Sequence, residues 1–379
     1  MKRFTLVWLV AVLAMALTTT AGAATPLPAA FLDLPDDFSH IGAHVNSFTT
    51  QSGHVLHYID EGNPAWRTLV LAGGAGTGVQ AFELIDFTRD LRNALHIRVI
   101  CVERTGFGMT LFEPADASGA LITATSDAAL ALADPVKTRE MYAEHVLELL
   151  NHLGVDKFSV LGISGGGPYA AEIARQAASR VLSVHLAVAV NQAQFVPGPA
   201  YPDPTYLATM ASWIINPMWW WDMTGSDADK IPGWQERAYD EGAWAAFVRG
   251  QDADPHAVGL DYTVFMQTPP DVSSVTAPVF TYYGEQDPDI PYPQQRDAWV
   301  AAFSKSSKIT QRNYPTLYHD VQYRHNDQIL VDVAGYGDYL IIAWEGHTKL
   351  IPQNMWRVYE ARGAILGIQA WVTATQLVQ

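Results

Sequence analysis

Short, almost uninterrupted apolar runs, separated by stretches of helical periodicity, constrain this chain more than any other feature. Thr68-Leu-Val-Leu71, Val99-Ile-Cys-Val102 and Phe158-Ser-Val-Leu161 are of this kind. A strand buried on one face alternates apolar with polar residues. A strand buried on both faces does not, and such strands belong to parallel sheets covered by helices. Between the last two runs Met141, Val146, Leu149, Leu150 and Leu153 recur at helical spacing, and Gly154 marks the stop. Residues 181–190, 278–283 and 308–311 add further strands, and residues 54–59 alternate as an antiparallel strand does. Strand, helix, strand in repetition predicts an α/β fold with a mostly parallel central sheet.

Two regions interrupt that rhythm. Residues 194–270 are helical and aromatic, without a convincing strand, and hold Trp213, Trp219, Trp220, Trp221, Trp234 and Trp244, six of the chain's twelve tryptophans. Inserted between two sheet strands, this block is expected to form a helical cap over the strand ends. Residues 339–351 read as strand, turn and strand around Glu345-Gly346, beyond the elements the main sheet needs. The expected organisation is a core of residues 24–193 and 271–379, the latter carrying a C-terminal extension, with residues 194–270 as the cap.

Residues 1–23 read as a separate element. Lys2 and Arg3 precede an apolar core over residues 4–17, and Ala21-Gly22-Ala23 ends it with the small residues of a cleavage site. This predicts a secretory signal peptide, with the mature protein exported to a periplasm or the medium. The apolar core falls short of the ~20 residues a bilayer span needs, so no stable membrane insertion is expected after cleavage. Cys101, the only cysteine, cannot form an internal disulfide and lies in an apolar run that suits burial. Net charge is −16, or near −18 once Lys2 and Arg3 leave with the signal. Such a surface repels phosphate backbones, which argues against nucleic acid as a partner.

The chemistry centres on Gly162-Ile163-Ser164-Gly165-Gly166. A G-x-S-x-G pentapeptide means little alone, but here the serine follows an apolar strand at once and precedes a helical run over residues 169–175. The glycines permit a tight, strained strand-to-helix turn that lifts the hydroxyl clear of the sheet. The helix N-terminus beyond it favours developing negative charge.

Four segments, in order, resemble the α/β-hydrolase family over about residues 45–335. Leu71-Ala-Gly-Gly-Ala-Gly76 is similar to the family's glycine-rich oxyanion loop, and Glu103-Arg-Thr-Gly-Phe-Gly108 to its D-R-x-G-x-G segment. Val160-Leu-Gly-Ile-Ser-Gly-Gly-Gly-Pro168 resembles the nucleophile elbow, and Gly284-Glu-Gln-Asp-Pro288 the turn that bears the acid. The resemblance implies a central sheet of the α/β-hydrolase type, Ser164 as nucleophile, and oxyanion donors at Gly165 and Gly74. Ala72 stands where many members have histidine, which leaves open whether Gly74 or a neighbour donates. Glu103 stands where aspartate is usual, and Glu103 and Arg104 are read as holding the loop near the site.

Asp287 is the expected acid, with Glu285 and Asp289 as rivals. His319 is the expected base, 32 residues later in the loop leaving the last strands, and it completes the order Ser, Asp, His. His347 is the main rival in a hairpin turn, and His325 reads as a helix-face residue. No H-E-x-x-H, calcium loop or dinucleotide fingerprint occurs, so neither metal nor cofactor is implied. These readings predict a serine hydrolase that cleaves a carboxylic ester of a small, apolar or aromatic molecule through an acyl-enzyme. The alternatives are a proline-iminopeptidase-like amide hydrolase, which the Ala-Gly-Gly-Ala-Gly loop resembles, and a catalytically silent ligand-binding relative.

Overall fold

The computed structural model describes residues 43–79, 88–191, 201–214, 253–265, 269–288, 290, 292–315, 317–344, 347–366, 371–372 and 376–377. The expected signal peptide, and five of the six tryptophans expected in the cap, lie outside these residues. Trp213 falls in the helix Pro204–Ile214, but its side chain lies outside them too.

The strands are β1 (Val45–Thr49), β2 (Val55–Glu61), β3 (Arg67–Ala72), β4 (Ile97–Val102), β5 (Phe158–Ile163), β6 (Val181–Ala187), β7 (Val279–Gly284), β8 (Ile309–Tyr314), β9 (Tyr339–Trp344), β10 (His347–Pro352), β11 (Trp371–Val372) and β12 (Gln376–Leu377). Nine of them form one sheet in the order β1-β2-β4-β3-β5-β6-β7-β8-β12. From β4 to β8 all neighbours are parallel, while β1, β2 and β12 join antiparallel at the two edges.

Successive side chains of the inner strands point to opposite faces, and both faces are buried. Leu69, Leu71, Val99, Cys101, Leu161 and Ile163 pack on one side with residues of the helices Arg89–Ala94 and Asn326–Val333. Val70, Ile100, Val160 and Val184 pack on the other with the helices Pro135–His152, Gly167–Gln176 and Gln294–Ala302. That double burial explains the continuous apolar runs. It also explains the buried Cys101, whose thiol burial pushes up to about 12.

The strand order places the candidate site. The chain builds β4 on one side of β3 and β5 on the other, so the crossovers diverge at the carboxyl ends of β3 and β5. In open α/β sheets that crevice is where ligands bind. Ala72 and Ser164 stand there.

Three features depart from the sequence reading. β1 is an extra strand, paired with β2 from Val45 opposite Ile59 to Thr49 opposite Val55. β6 ends at Ala187, because Val188 turns to a φ of +42°. The tail is more than an appendage: β9, β10 and β11 form a separate sheet, and β12 returns to pair with β8.

A buried ion pair fastens the far end of the main sheet. Arg312 on β8 donates to both oxygens of Asp332, at 2.6 Å each, and both side chains are fully buried. Tyr282 on β7 donates to Asp332 at 2.8 Å, and Gln328 at 3.1 Å. Removing one partner of such a pair strands the other charge without water. Asp332→Ala is expected to lower the unfolding free energy by about 3–5 kcal/mol in urea titration, and a loss below about 1 kcal/mol would contradict this account.

At the opposite edge His145 is buried beside Ser52, its Nε2 3.1 Å from the hydroxyl, with its ring stacked on His54 at 5.4 Å. Nearby, His54 Nδ1 lies 2.6 Å from Glu113. Burial, and then the neighbouring His54, push His145 down to about 4. The unfolded chain therefore takes up a proton near pH 6.5 that the folded chain refuses until about pH 4. Stability is lost as pH falls through that window, by at most about 1.4 kcal/mol per pH unit from this group. His145→Gln should flatten the fall in urea midpoint between pH 6.5 and 4; an unchanged slope would rule His145 out as its source.

Candidate active site

Ser164 follows β5 directly and sits at a φ of +50°, in the left-handed region that a non-glycine residue rarely occupies. A short 3₁₀ turn, Ser164–Gly166, leads into the helix Gly167–Gln176. The turn is this tight because Gly166 lies against the end of β3. A methyl group built there would meet the Ala72 carbonyl oxygen at 2.0 Å. The Ser164 carbonyl accepts the Val190 N–H at 3.0 Å, which ties the turn to the chain beyond β6.

The acid and the histidine come from the loops after β7 and β8, which are bonded to each other. The Glu285 N–H donates to Tyr314 O and the Gln286 N–H to Leu317 O, each at 3.0 Å. Gln286 Nε2 adds a bond to Pro315 O at 3.0 Å. Asp287 is buried, and its Oδ1 accepts the Ile290 N–H at 3.0 Å. His319 is nearly buried as well, and Gln322 donates to its carbonyl.

These loops converge on Ser164. His319 Nδ1 lies 2.7 Å from Asp287 Oδ2, and His319 Nε2 lies 2.9 Å from Ser164 Oγ. An ionised carboxylate only accepts, so Nδ1 carries the ring proton, and Nε2 of the neutral ring is left to accept from the hydroxyl. The serine proton thus faces a base whose tautomer is fixed from behind.

The glycine-rich loop runs alongside. A methyl group built on Gly74 would lie 3.8 Å from Ser164 Cβ. Arg104 holds this loop from the other side: Nη1 donates to Gly73 O at 2.8 Å and Nη2 to Gly74 O at 2.7 Å. Glu103 ties down the adjoining turn, accepting from the Met109 and Thr110 N–H groups at 2.9 and 3.0 Å, the Thr110 hydroxyl at 3.0 Å and the Val79 N–H at 3.3 Å. Burial pushes the Glu103 carboxyl up to about 7, against the pull of these bonds. Arg104 therefore bears on the glycine-rich loop itself, and Glu103 on the turn beside it and on Val79.

Of the rival residues, Glu285 is half-buried in the acid turn, and Asp289 lies outside the described residues. His347 opens β10, opposite Trp344 in the second sheet. His325 lies at a helix junction rather than on a helix face. It joins the helices Val321–Arg324 and Asn326–Val333, buried and stacked on Tyr314 at 4.2 Å.

Two contributors escaped sequence reading. Asp261 accepts from Arg104 at 2.8 Å and from the Tyr169 hydroxyl at 2.5 Å. It lies in the helix Pro255–Phe265, between β6 and β7, on the same face as Val258 and Phe265, all three buried. An acid in an apolar helical stripe was the available signal. Tyr169 follows the elbow by five residues and carries no motif.

Among the described residues no group of three or more His, Cys, Asp or Glu side chains could hold a metal ion. None of their helices is long and apolar enough to cross a membrane.

Comparison with known proteins agrees with this architecture. No curated protein sequence matches the chain. Among solved structures, a hydrolase from Pseudomonas aeruginosa is 16% identical with a TM-score of 0.55, over 77% of this chain and 98% of its own. An esterase from Exiguobacterium antarcticum is 16% identical with a TM-score of 0.52, over 78% and 98%. An enol-lactonase from Burkholderia xenovorans is 15% identical with a TM-score of 0.54, over 77% and 99%. At such identity these likenesses speak for the fold alone. Residues 69–332 match the alpha/beta hydrolase family, a span that includes the elbow, the acid turn and the histidine loop. The chain belongs to the alpha/beta hydrolase family.

Proposed function

We propose that this protein is an exported serine hydrolase that cleaves carboxylic esters of small molecules through an acyl-enzyme. The observation that carries the reading is the bonded series Ser164 Oγ, His319 Nε2, His319 Nδ1 and Asp287 Oδ2, with steps of 2.9 and 2.7 Å. A serine hydroxyl is a weak nucleophile until a positioned base takes its proton.

In acylation Ser164 Oγ attacks the ester carbonyl carbon while its proton moves to His319 Nε2. The carbonyl oxygen becomes an oxyanion, which the N–H of Gly165 and a backbone N–H of the Gly73–Gly74 loop stabilise. Asp287 holds the imidazolium that forms. Collapse expels the alcohol, which takes the proton from Nε2 and leaves an acyl-serine. Water repeats the sequence: His319 accepts its proton, the hydroxyl adds to the acyl carbon, and Ser164 leaves reprotonated with release of the carboxylic acid.

The aromatic content of residues 194–270, read as a cap, favours apolar or aromatic esters, since flat side chains desolvate such groups well. Export rests on residues 1–23. An esterase and an enol-lactonase among the structural neighbours are compatible with acyl transfer at this site.

With aryl esters as substrates, Ser164→Ala and His319→Gln are each expected to lower kcat/KM at least about 10³-fold, and the double variant little further, because the two act as a unit. Retention of wild-type turnover by either single variant would overturn the proposal. Across a series of neutral and anionic aryl esters, neutral ones are expected to be preferred, given the net charge of −16; a clear preference for anionic esters would contradict the substrate reading.

A further inference from the structure

The helix Pro255–Phe265 touches both halves of the oxyanion site from one face. Asp261 and Phe265 are one helical turn apart. Phe265 packs on the elbow, where a methyl group built on Gly165 would come within 2.3 Å of its Cζ. Asp261 reaches the other half through Arg104, whose guanidinium bonds Asp261 and the carbonyls of Gly73 and Gly74 together. The rings of Phe107 and Tyr169 flank that guanidinium at 4.3 and 4.9 Å.

The geometry assigns Asp261 as a positioning residue for the oxyanion site: by holding Arg104 it sets the Gly73 and Gly74 peptide planes, so that seating of the helix Pro255–Phe265 is coupled to formation of the oxyanion hole. The assignment rests on the serine-hydrolase reading above.

In a planar trans peptide the C=O and the following N–H point in opposite directions. Bonds from Arg104 to Gly73 O and Gly74 O therefore turn the N–H groups of Gly74 and Ala75 away from the guanidinium. Two consecutive glycines have no side chains to hold those planes, and glycine backbones rotate freely; the Thr77 hydroxyl donates to Gly74 O at 2.8 Å, and Arg104 is the group that bonds both carbonyls.

The ion pair is costly to bury. Arg104 and Asp261 are both almost fully buried, and a buried ion pair adds little stability over a well-packed apolar pair. What a planar guanidinium supplies is direction: it fixes three acceptors at once. The same bonds polarise the loop, because a carbonyl bonded to a cation makes the N–H of the same peptide a stronger donor.

Steady-state kinetics on an aryl ester, beside inhibition by an alkyl trifluoromethyl ketone, tests the assignment in the full chain. The ketone adds to the serine as a tetrahedral oxyanion, whereas KM reports ground-state binding where acylation limits turnover. Asp261→Asn keeps the shape and removes the charge. It is expected to lower kcat about 10- to 100-fold, to change KM less than about threefold, and to raise the ketone inhibition constant by the same factor as kcat falls. A fluorophosphonate should still label this variant to completion, more slowly.

Asp261→Glu should recover part of kcat. Wild-type kcat in Asp261→Asn, or a rise in KM with kcat and ketone inhibition unchanged, would overturn the assignment. Should the Asn variant fail to fold, Tyr169→Phe removes one of Asp261's bonds and leaves the ion pair. A smaller loss of kcat with a parallel loss of ketone binding is then expected, and unchanged kcat would overturn the assignment. Failure of the underlying reading looks different: wild type itself would neither turn over the ester nor accept the label.

Discussion

The site depends on one backbone conformation, the φ of +50° at Ser164. A left-handed serine between a buried strand and a helix is strained by about 1–3 kcal/mol, and it persists only where its surroundings over-determine it. They do so here. Five residues of β5 are paired to β3 on one side, and all six to β6 on the other. Gly166 is pressed against the end of β3, and the Ser164 carbonyl is bonded to Val190. The sheet is thus a rigid base on which one strained residue is raised toward the crevice.

The other parts are arranged around that point by loops braced on one another. The acid turn after β7 and the histidine loop after β8 share backbone bonds, so Asp287 and His319 are positioned as one piece. Behind the histidine, the Arg312–Asp332 pair fixes the helix Asn326–Val333 to β8. The loop after β3 is held by Arg104, and Arg104 is held by a helix from the segment between β6 and β7. Catalytic geometry to within a fraction of an ångström demands this kind of support, because small misplacements cost large factors in rate.

Much of this was legible in the sequence, for local reasons. Strands buried on both faces show as apolar runs, a strained serine shows as glycines around it, and the elbow, acid turn and histidine keep their order along the chain. What was not legible is tertiary. β1 reads Val-Asn-Ser-Phe-Thr, too polar to stand out, and exists because β2 offers it an edge. β12 is two residues long and is defined only by its partner. Asp261 resembles any acid in a helix until Arg104, 157 residues earlier, is placed beside it. His325 reads as one more helix-face residue until Tyr314 is found stacked on it.

The central claim is that Ser164 is an activated nucleophile, and covalent capture tests it most directly. Purified protein would be reacted with a fluorophosphonate, digested, and mapped by mass spectrometry. The account predicts one adduct per chain, on Ser164, and none after Ser164→Ala. A folded wild type that remains unmodified, or that carries the adduct on another residue, would contradict it.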